Sequence, residues 1–302
     1  MGASRTNSVQ RTLIVNGILL LFVLSWITPT LGLFVTSFRT IDDMAESGWW
    51  TAFRDVDRFT LENYEQVLTA GSYAYRTEAG RQVYVTGGRL GQAFLNSLTV
   101  TIPSVVIPIL ISAFAAYGFA KMRFRGRKVL FGLVVAMLVV PVQISLIPIL
   151  RDYQQIGLAG TYLGVWLFHG AFGLPLATYL LFNFISTIPE SITESALIDG
   201  ANQFVIFVRL IIPLSMPALA AFSIFQFLWV WNDLLVALVF LSGAGPGTEV
   251  LTQRLLSLVG QFGANWQLLT AAAFVSMVLP LIIFFSLQRF FVTGLLSGSV
   301  KG

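Results

Sequence analysis

Polar side chains are sparse within the long apolar runs of this sequence, and a few of them could hydrogen-bond a solute. Ser223, Gln226 and Asp233 follow one another at spacings of three and seven residues, so they share one face of a continuous helix. A carboxylate inside an apolar run is costly unless it is paired or hydrated, which makes Asp233 a candidate functional residue. Binding sites combine aromatic surfaces with a few placed polar groups, so this face suits a polyhydroxylated solute such as a sugar.

The full set of candidates extends over three apolar runs, and each member also has a structural interpretation. The candidate substrate path consists of Gln143, His169, Gln226, Trp229, Asn232 and Asp233. Asn232 and Asp233 could instead hydrogen-bond the end of a neighbouring helix, because polar groups commonly hold membrane helices together. His169 could be a satisfied histidine of the bundle. Gln143 follows Pro141, where a packed kink is the alternative. The sequence leaves these choices open.

Other chemistries lack the groups that they need. The phosphate-binding pattern G-x-x-x-x-G-K-[ST] is absent, so neither a nucleotide site of this kind nor a bound cofactor is expected on this chain. The sequence has one histidine and no cysteine, which argues against an activated nucleophile, a histidine metal cluster and disulfides. Lysines and arginines are scattered along the chain, so no nucleic-acid partner is expected.

The composition indicates an integral membrane protein. The 302 residues are 56% hydrophobic and 11% charged, whereas a soluble domain carries about 25% charged residues. Several apolar runs approach the roughly 20 residues that cross a bilayer as a helix. The first run is longer than a signal-peptide core and lacks a small-residue cleavage site, so it is expected to remain as a span. Six spans are predicted, at Leu13–Phe38, Phe94–Ala120, Val129–Leu150, Tyr162–Ile185, Leu214–Leu241 and Leu268–Phe291.

The short connection 121–128 sets the predicted orientation. It carries five positive charges in eight residues, which marks it as cytoplasmic. With an even number of spans, both termini are then cytoplasmic. The chain is predicted to form one transmembrane domain, 1–302, with cytoplasmic tails at 1–12 and 292–302, outer loops at 39–93 and 242–267, and a cytoplasmic segment at 187–213. Within the first outer loop, residues 49–53 form an aromatic cluster of the kind found at membrane interfaces.

The cytoplasmic segment 190–213 has the pattern of two short helices. Ser191 and Glu194 have the spacing of a capping box that would start the first helix. Gly200 can adopt a positive φ and so end that helix. A second helix is predicted from Asn202 to Ile212, and Pro213 fits the first turn of the next apolar segment. Such a projecting helix–turn–helix is suited to docking into a partner protein.

At these residues the chain resembles the permease subunits of binding-protein-dependent ABC importers. The cytoplasmic signature of that family is E-A-A-x3-G-x9-I-x-L-P. It maps here onto Glu194-Ser195-Ala196, Gly200 and Leu210-x-Ile212-Pro213. Further likeness to carbohydrate importers of the maltose type lies in Asn96-Ser97, Phe124-Arg125-Gly126-Arg127, Trp231-Asn232-Asp233 and Gln288-Arg289-Phe290. The chain is similar to the second, six-span permease of those systems, and residues 47–50 and 227–237 resemble the α-glucoside and glucosylglycerol branch.

The resemblance implies an all-α, six-helix type I importer permease in the bacterial inner membrane. It implies a heterodimer with a paralogous permease, two ATP-binding subunits that hold ATP and magnesium, and an external sugar-binding protein. It also implies that segment 187–213 couples transport to the ATPase through Glu194, Ser195, Ala196, Asp199, Gly200 and Pro213. The tail 297–302 would approach the ATPase, and the loop 242–267 would touch the binding protein. An ion-coupled secondary transporter and a membrane scaffold are the alternatives; the first would need more intramembrane carboxylates and inverted repeats.

Overall fold

The chain is helical almost throughout in the computed structural model. The structure describes the backbone of residues 2–54, 56–69, 72–76, 82–86, 88–245, 247–261 and 266–299, and the side chains of these except 2–10, 72–76, 82–86, 260–261 and 290–299. The helices in the first third of the chain are α1 Gly2–Thr36, α2 Ile41–Glu46, α3 Glu62–Leu68 and α4 Leu90–Lys121. Those that follow are α5 Arg127–Ala136, α6 Val142–Gln155, α7 Tyr162–Ser186, α8 Glu190–Ile198, α9 Gln203–Ile206, α10 Ile212–Leu214, α11 Met216–Trp231, α12 Leu235–Leu241, α13 Leu251–Gln261 and α14 Trp266–Ser299.

Short non-α elements complete the list. Two 3₁₀ helices, Trp49–Arg54 and Val56–Arg58, follow α2. A third, Met137–Val139, follows α5, and a π-helical stretch, Phe207–Ile211, follows α9. A β-hairpin pairs β1, Ser72–Arg76, with β2, Gln82–Thr86, in antiparallel register from Ser72 opposite Thr86 to Arg76 opposite Gln82. The sequence pattern did not predict this hairpin, which adds a small sheet to a chain whose helical fold class is confirmed.

The predicted spans are present as helices. Four helices are long and apolar enough to cross a membrane: Arg11–Thr36, Leu90–Lys121, Tyr162–Ser186 and Trp266–Arg289. Two further stretches reach the required length only as bent pairs, Arg127–Val139 with Val142–Gln155 and Gln203–Leu214 with Met216–Trp231. Counting each pair as one span makes six within the part of the chain that the structure describes, in agreement with the predicted number. The bounds of the fifth differ from the prediction, because the second pair begins at Gln203, inside the segment 187–213, and ends at Trp231.

Proline explains both bends. The first pair is bent by 101° at Pro141, and Val140 is extended (φ −71°, ψ 116°) because a residue before proline avoids the α region. The second pair is bent by 71° at Ser215, just before Pro217 enters the first turn of α11. Proline lacks the N–H that would continue the helical hydrogen bonds, so the chain can change direction at both places.

The backbone divides into two compact units, of which the first comprises Met1–Leu90 and Leu255–Val275. Within it, Asn63 Nδ2 donates to the carbonyls of Ser37 and Arg39, at 2.9 Å each. These bonds fix α3 to the end of α1. Phe34 of α1 meets Phe274 edge-on at 5.1 Å between ring centroids, so α1 also packs against the start of α14.

The second unit comprises Gly91–Arg254 and Ser276–Gly302, and two buried apolar clusters organise it. One cluster joins the first halves of α4 and α7 to α11 and α12, around Phe168 and Phe240. The other joins the second halves of α4 and α7 to the segment 188–219, around Leu181, Ile206 and Ile211. The second cluster therefore fixes the segment 187–213 to α4 and α7.

Candidate functional site

The coupling segment (residues 187–213) begins differently from the prediction. Helix α8 starts at Glu190, directly after the non-helical Pro189, and no side chain caps its first turn. Ser191 lies inside that turn, so the predicted capping box of Ser191 and Glu194 is wrong. Pro189 (φ −56°, ψ 138°) determines the start because proline ends the preceding chain and leaves the next residue free to be helical.

The end of α8 agrees with the prediction and adds detail to it. Gly200 has φ +82°, a left-handed conformation that glycine adopts without steric cost. The Ala201 N–H donates to the Ala196 carbonyl at 2.9 Å, and the Gly200 N–H donates to the Leu197 carbonyl at 3.0 Å. These two bonds make a complete Schellman motif, with Asp199 at the C-cap. Ala196 and Ala201 both pack against the second apolar cluster, which closes the motif on the bundle.

Helix α8 therefore has an inward face and an outward face. Ala196 and Thr193 are half-buried and face the bundle, whereas Glu194 and Ser195 are exposed. Ile198 shares the outward face and is 86% exposed. This exposure leaves an apolar side chain available for contact on the outward face of α8. Of the signature residues, the glutamate and the serine point outward and the alanine anchors the helix.

The second half of the segment is strongly anchored. Asn202 caps α9 by accepting the Val205 N–H at 2.9 Å, and the helix passes through a π-helical stretch at Phe207–Ile211. Phe207 stacks on Phe114 of α4 at 4.3 Å between centroids. Pro213 lies in the last turn before the 71° bend, close to its predicted place at the start of the next apolar segment.

Two further contacts join α4 to this segment. Tyr117 OH donates to Gln203 Oε1 at 2.5 Å, and Lys121 Nζ donates to the carbonyl of Ile188. Lys121 is also the first residue of the basic connection 121–128. The basic connection and the coupling segment consequently lie at the same end of this unit.

A buried polar cluster lies between α4, α7 and α11. Gln226 is 1% exposed, and its Nε2 donates to the carbonyls of Ser104 and His169, at 3.2 Å each. Its amide occupies a slot at Gly173, where an added Cβ would lie 2.7 Å from Nε2. One amide group thus bridges two other helices, and this bridging uses both of its N–H bonds.

His169 and Trp229 are members of the same cluster. Their rings meet edge-on at 5.5 Å between centroids. His169 is buried, and its Nδ1 has no hydrogen-bond partner among the described residues; the same holds for Ser104 Oγ. The structure thus brings together three of the six path candidates (Gln226, His169 and Trp229) and encloses two of them completely.

Asn232 and Asp233 lie at a break in the fifth span, which the sequence pattern treated as continuous. Helix α11 ends at Trp231 and α12 begins at Leu235. Asn232 Nδ2 donates to the Leu228 carbonyl at 2.8 Å, and Asp233 Oδ1 accepts the Val236 N–H at 2.9 Å. The prediction that Asp233 shares a helical face with Ser223 and Gln226 is therefore wrong, because both polar side chains hydrogen-bond to helix ends.

Gln143 lies apart from the cluster. It is exposed in the first turn of α6, two residues beyond the Pro141 bend. The alternative interpretation of Pro141 as a kink agrees with the observed geometry. Nothing among the contacts of the described residues brings Gln143 close to Gln226.

Sequence reasoning missed the polar face of α4. Its buried polar residues are Asn96, Ser97, Thr101, Ser104 and Ser112. Their spacing follows a helical period, so the pattern was available as a signal. Asn96 Nδ2 donates to the carbonyls of Gly247 and Glu249, at 2.7 and 2.9 Å, and Ser97 Oγ accepts the Leu251 N–H at 2.8 Å. These bonds attach the outer segment before α13 to the beginning of α4.

Comparison with protein families identifies the chain. The family described as binding-protein-dependent transport system inner membrane component matches residues 108–296, which is more than half of the chain. The chain belongs to this family. The permease is therefore a multi-pass inner-membrane subunit of an ABC importer, a transport component whose ATP hydrolysis is carried out by separate subunits. The resemblance inferred from the sequence is confirmed.

Two relatives and two solved structures place the permease more closely. It is 50% identical to the osmoprotective compounds uptake permease protein GgtD of Synechocystis, over 99% of this chain and 97% of that protein. It is 56% identical to the α-glucoside transport system permease protein AglG of Rhizobium meliloti, over 81% of this chain and 61% of that protein. Two structures of a bacterial alginate ABC importer share the fold, with TM-scores of 0.61 and 0.59 at 15% and 17% identity, over 99% and 94% of this chain and 100% and 95% of theirs.

Proposed function

We propose that the permease couples ATP hydrolysis in partner subunits to sugar import through the coupling segment. The observation that carries this proposal is the geometry of α8. Its outward face presents Glu194, Ser195 and the exposed Ile198, while Ala196 and the Schellman motif at Gly200 hold it on the bundle. A helix that is anchored on one face and presents an exposed apolar side chain among polar ones on the other suits docking into a groove of a partner.

The proposed complex contains a paralogous permease, two ATP-binding subunits holding ATP and magnesium, and an external sugar-binding protein. One of the alginate importer structures includes its periplasmic binding protein, which supports the last partner by analogy. The bonds of Asn96 and Ser97 to residues 247–251 support the loop 242–267 as a fixed surface for that protein. The predicted contact of the tail 297–302 falls partly on residues 300–302, which lie outside the described residues.

The proposed orientation places both termini and the coupling segment in the cytoplasm. Its support is the bond from Lys121 to Ile188, because it joins the basic connection 121–128 to the coupling segment. Basic connections are cytoplasmic in membrane proteins. The whole chain then forms one transmembrane permease domain with outer loops at 39–93 and 242–267.

The proposed substrates are α-glucosides and related glucosides such as glucosylglycerol. The identities of 56% with an α-glucoside permease and 50% with an osmoprotectant permease support this class. Family membership removes support for the ion-coupled alternative. The Asp233 carboxylate also argues against an ion-coupled transporter, because it caps α12.

The path candidates divide into two groups on this view. We infer that Gln226 and His169 fix the helices of this subunit, because both are enclosed and Gln226 uses its N–H bonds on backbone carbonyls. Trp229, Asn232, Asp233 and Gln143 remain partly or fully exposed. They stay the candidates for a surface that, together with the second permease, contacts sugar.

The coupling role is tested by a pair of matched glycines. Gly200 and Gly126 both have φ +82°, and a Cβ at either meets no atom within 4 Å. Arginine at either position pays the same conformational cost of about 1–2 kcal/mol, but only Gly200 belongs to the coupling segment. In the reconstituted importer, Gly200→Arg is expected to insert normally and to lose sugar-stimulated ATPase activity, while Gly126→Arg retains it. Normal stimulation in Gly200→Arg, or equal loss in both variants, contradicts the coupling role.

The substrate class is tested separately by uptake. Radiolabelled glucoside uptake by the reconstituted complex should be competed by α-glucosides and glucosylglycerol, but not by β-glucosides of the same size. Uptake that is insensitive to this panel would leave the coupling mechanism standing and refute the substrate assignment.

A further inference from the structure

The outer connection after α1 contains a short aromatic element whose depth relative to the membrane follows from its contact with α1. The 3₁₀ helix Trp49–Arg54 packs on α1 at Gly32, where an added Cβ would lie 2.8 Å from Trp49 Nε1. Gly32 is four residues before the end of α1 at Thr36, or roughly 6 Å along the helix. Because Arg11–Thr36 is long and apolar enough to cross a membrane, this contact would bring Trp49 near the boundary between hydrocarbon and water.

The same element exposes apolar side chains. Trp50 is 68% exposed and Phe53 is 56% exposed. A 3₁₀ helix has three residues per turn, so these two rings project from one side. The spacing of three continues to Val56 and Phe59, which are both exposed. Ala52, between the two rings, is buried, so the element has an inner and an outer side.

Polar contacts on either side of this 3₁₀ helix hold the connection to the end of α1. Arg39 is buried, and its guanidinium donates to the carbonyls of Ser47 and Asp43 at 2.9 and 2.5 Å. Thr40 and Arg58 hydrogen-bond the Asp43 carboxylate at 2.7 and 2.8 Å, and these bonds keep the pKa of that carboxyl below its ordinary value. The exposed aromatic side therefore cannot change its depth independently of the span.

Charge indicates which feature of a membrane the element would recognise. Residues 39–59 contain five acidic and three basic side chains, so the segment has no net attraction for anionic headgroups. Apolar side chains near the end of α1, at Leu31, Leu33 and Phe34, are exposed as well. Aromatic rings at such a depth are stabilised at the level of the lipid headgroups.

We propose that the side of this connection formed by Trp50, Phe53, Val56 and Phe59 is an interfacial platform, with Trp50 and Phe53 embedded in the phospholipid leaflet at the Thr36 end of α1. In the orientation proposed above, this is the outer leaflet. The platform binds the boundary between headgroups and acyl chains of zwitterionic lipid, and it holds the outer end of the first span at a constant depth.

The absence of cysteine from the sequence allows a direct test. Single variants Trp50→Cys and Phe53→Cys carry a nitroxide in the full importer, reconstituted into phosphatidylcholine vesicles. Their accessibility to oxygen relative to a water-soluble nickel chelate is compared with Leu20→Cys in the spanning part of α1 and Asp57→Cys at the exposed surface. The ratio at positions 50 and 53 is expected to exceed that at 57 several-fold, to stay below that at 20, and not to change when phosphatidylglycerol is added.

Three outcomes would overturn the proposal. A ratio equal to that at position 57 would place the rings in water. Low accessibility to both reagents would show that another protein subunit covers them. A ratio that rises only with phosphatidylglycerol would likewise refute binding to zwitterionic lipid.

A second pair of variants tests the contact of the Trp49 indole with α1 at Gly32. Gly32→Ala places a methyl group against the Trp49 indole, whereas a Cβ at Gly17 in the same helix meets nothing within 4 Å. With the label at position 53, Gly32→Ala is expected to lower the oxygen-to-nickel ratio and Gly17→Ala to leave it unchanged. Equal ratios in the two variants would refute the contact between Trp49 and Gly32.

Discussion

The coupling segment and the buried polar cluster contain similar side chains but use them in opposite ways. In the coupling segment, Glu194, Ser195 and Ile198 point away from the bundle, and the local backbone is satisfied by its own caps. In the cluster, the Gln226 amide donates its hydrogen bonds to carbonyls of α4 and α7. Polar groups that already make hydrogen bonds inside a bundle have few donors or acceptors available for a ligand.

The comparison shows that polarity inside a span does not by itself indicate a binding site. What distinguishes the two regions is the combination of exposure and anchoring. The outward face of α8 is exposed while its neighbours are fixed to the second apolar cluster, so movement of a docked partner can reach α7 and α11. The following experiments would break or sharpen this distinction, starting with the largest expected effect.

Loss of the exposed apolar contact on α8 should have the largest effect. Ile198→Glu places a charge in the proposed docking groove, and removal of a central apolar anchor costs about 2 kcal/mol or more. We expect co-purification of the ATPase subunits to weaken about 30-fold or more, with unchanged thermal stability of the isolated permease. Met122→Glu in the basic connection 121–128, also an exposed apolar residue, is the control and should retain the ATPase.

Filling the slot at Gly173 should have an intermediate effect on stability. A methyl group there meets the Gln226 amide at 2.7 Å, whereas at Gly170, one turn earlier, the nearest atom is 3.8 Å away. Overpacking costs about 1–3 kcal/mol, so Gly173→Ala should lower the unfolding temperature in detergent more than Gly170→Ala does. The added change Gln226→Ala should recover part of the loss. Additive effects of the two substitutions would disprove the contact.

Removal of the cap on α9 should lower stability by a smaller amount. Asn202→Ala loses the acceptor of the Val205 N–H, for which about 1 kcal/mol is typical. Amide exchange of residues 203–206 should increase, and sugar-stimulated ATPase activity should fall in proportion to the loosening. Asn202→Asp keeps an acceptor and should behave like the unchanged permease; loss of stimulation in that variant would point to a direct contact of the Asn202 amide instead.

Replacement of Gln226 by methionine should have the smallest effect. Interhelical hydrogen bonds in membranes contribute about 0.6 kcal/mol on average, and methionine fills a similar volume. We expect a small loss of stability and a sugar concentration for half-maximal uptake that changes less than about twofold. A tenfold increase, corresponding to about 1.4 kcal/mol, would restore Gln226 as a sugar ligand.

The sequence by itself was sufficient for features that depend on local chemistry. Apolar runs of membrane-spanning length located the spans. In lipid, every backbone N–H and C=O must be hydrogen-bonded within the protein, and an apolar run meets this requirement as a helix. Gly200 was recognised as a helix end because only a residue without Cβ adopts φ +82° at no cost. The residues from Glu194 to Pro213 resemble the cytoplasmic signature of the family, and this resemblance indicated the family before the structure was known.

Only the tertiary structure decided which polar groups are already used. Nothing in the local sequence shows that Gln226 lies opposite Gly173, 53 positions earlier in the chain, or that Asp233 accepts the Val236 N–H and interrupts the fifth span. Helical periodicity places residues on a face but does not identify the residue across from them. Burial and hydrogen bonding between distant segments are properties of the packed bundle, and they determine whether a polar side chain binds a helix or is left to meet a partner.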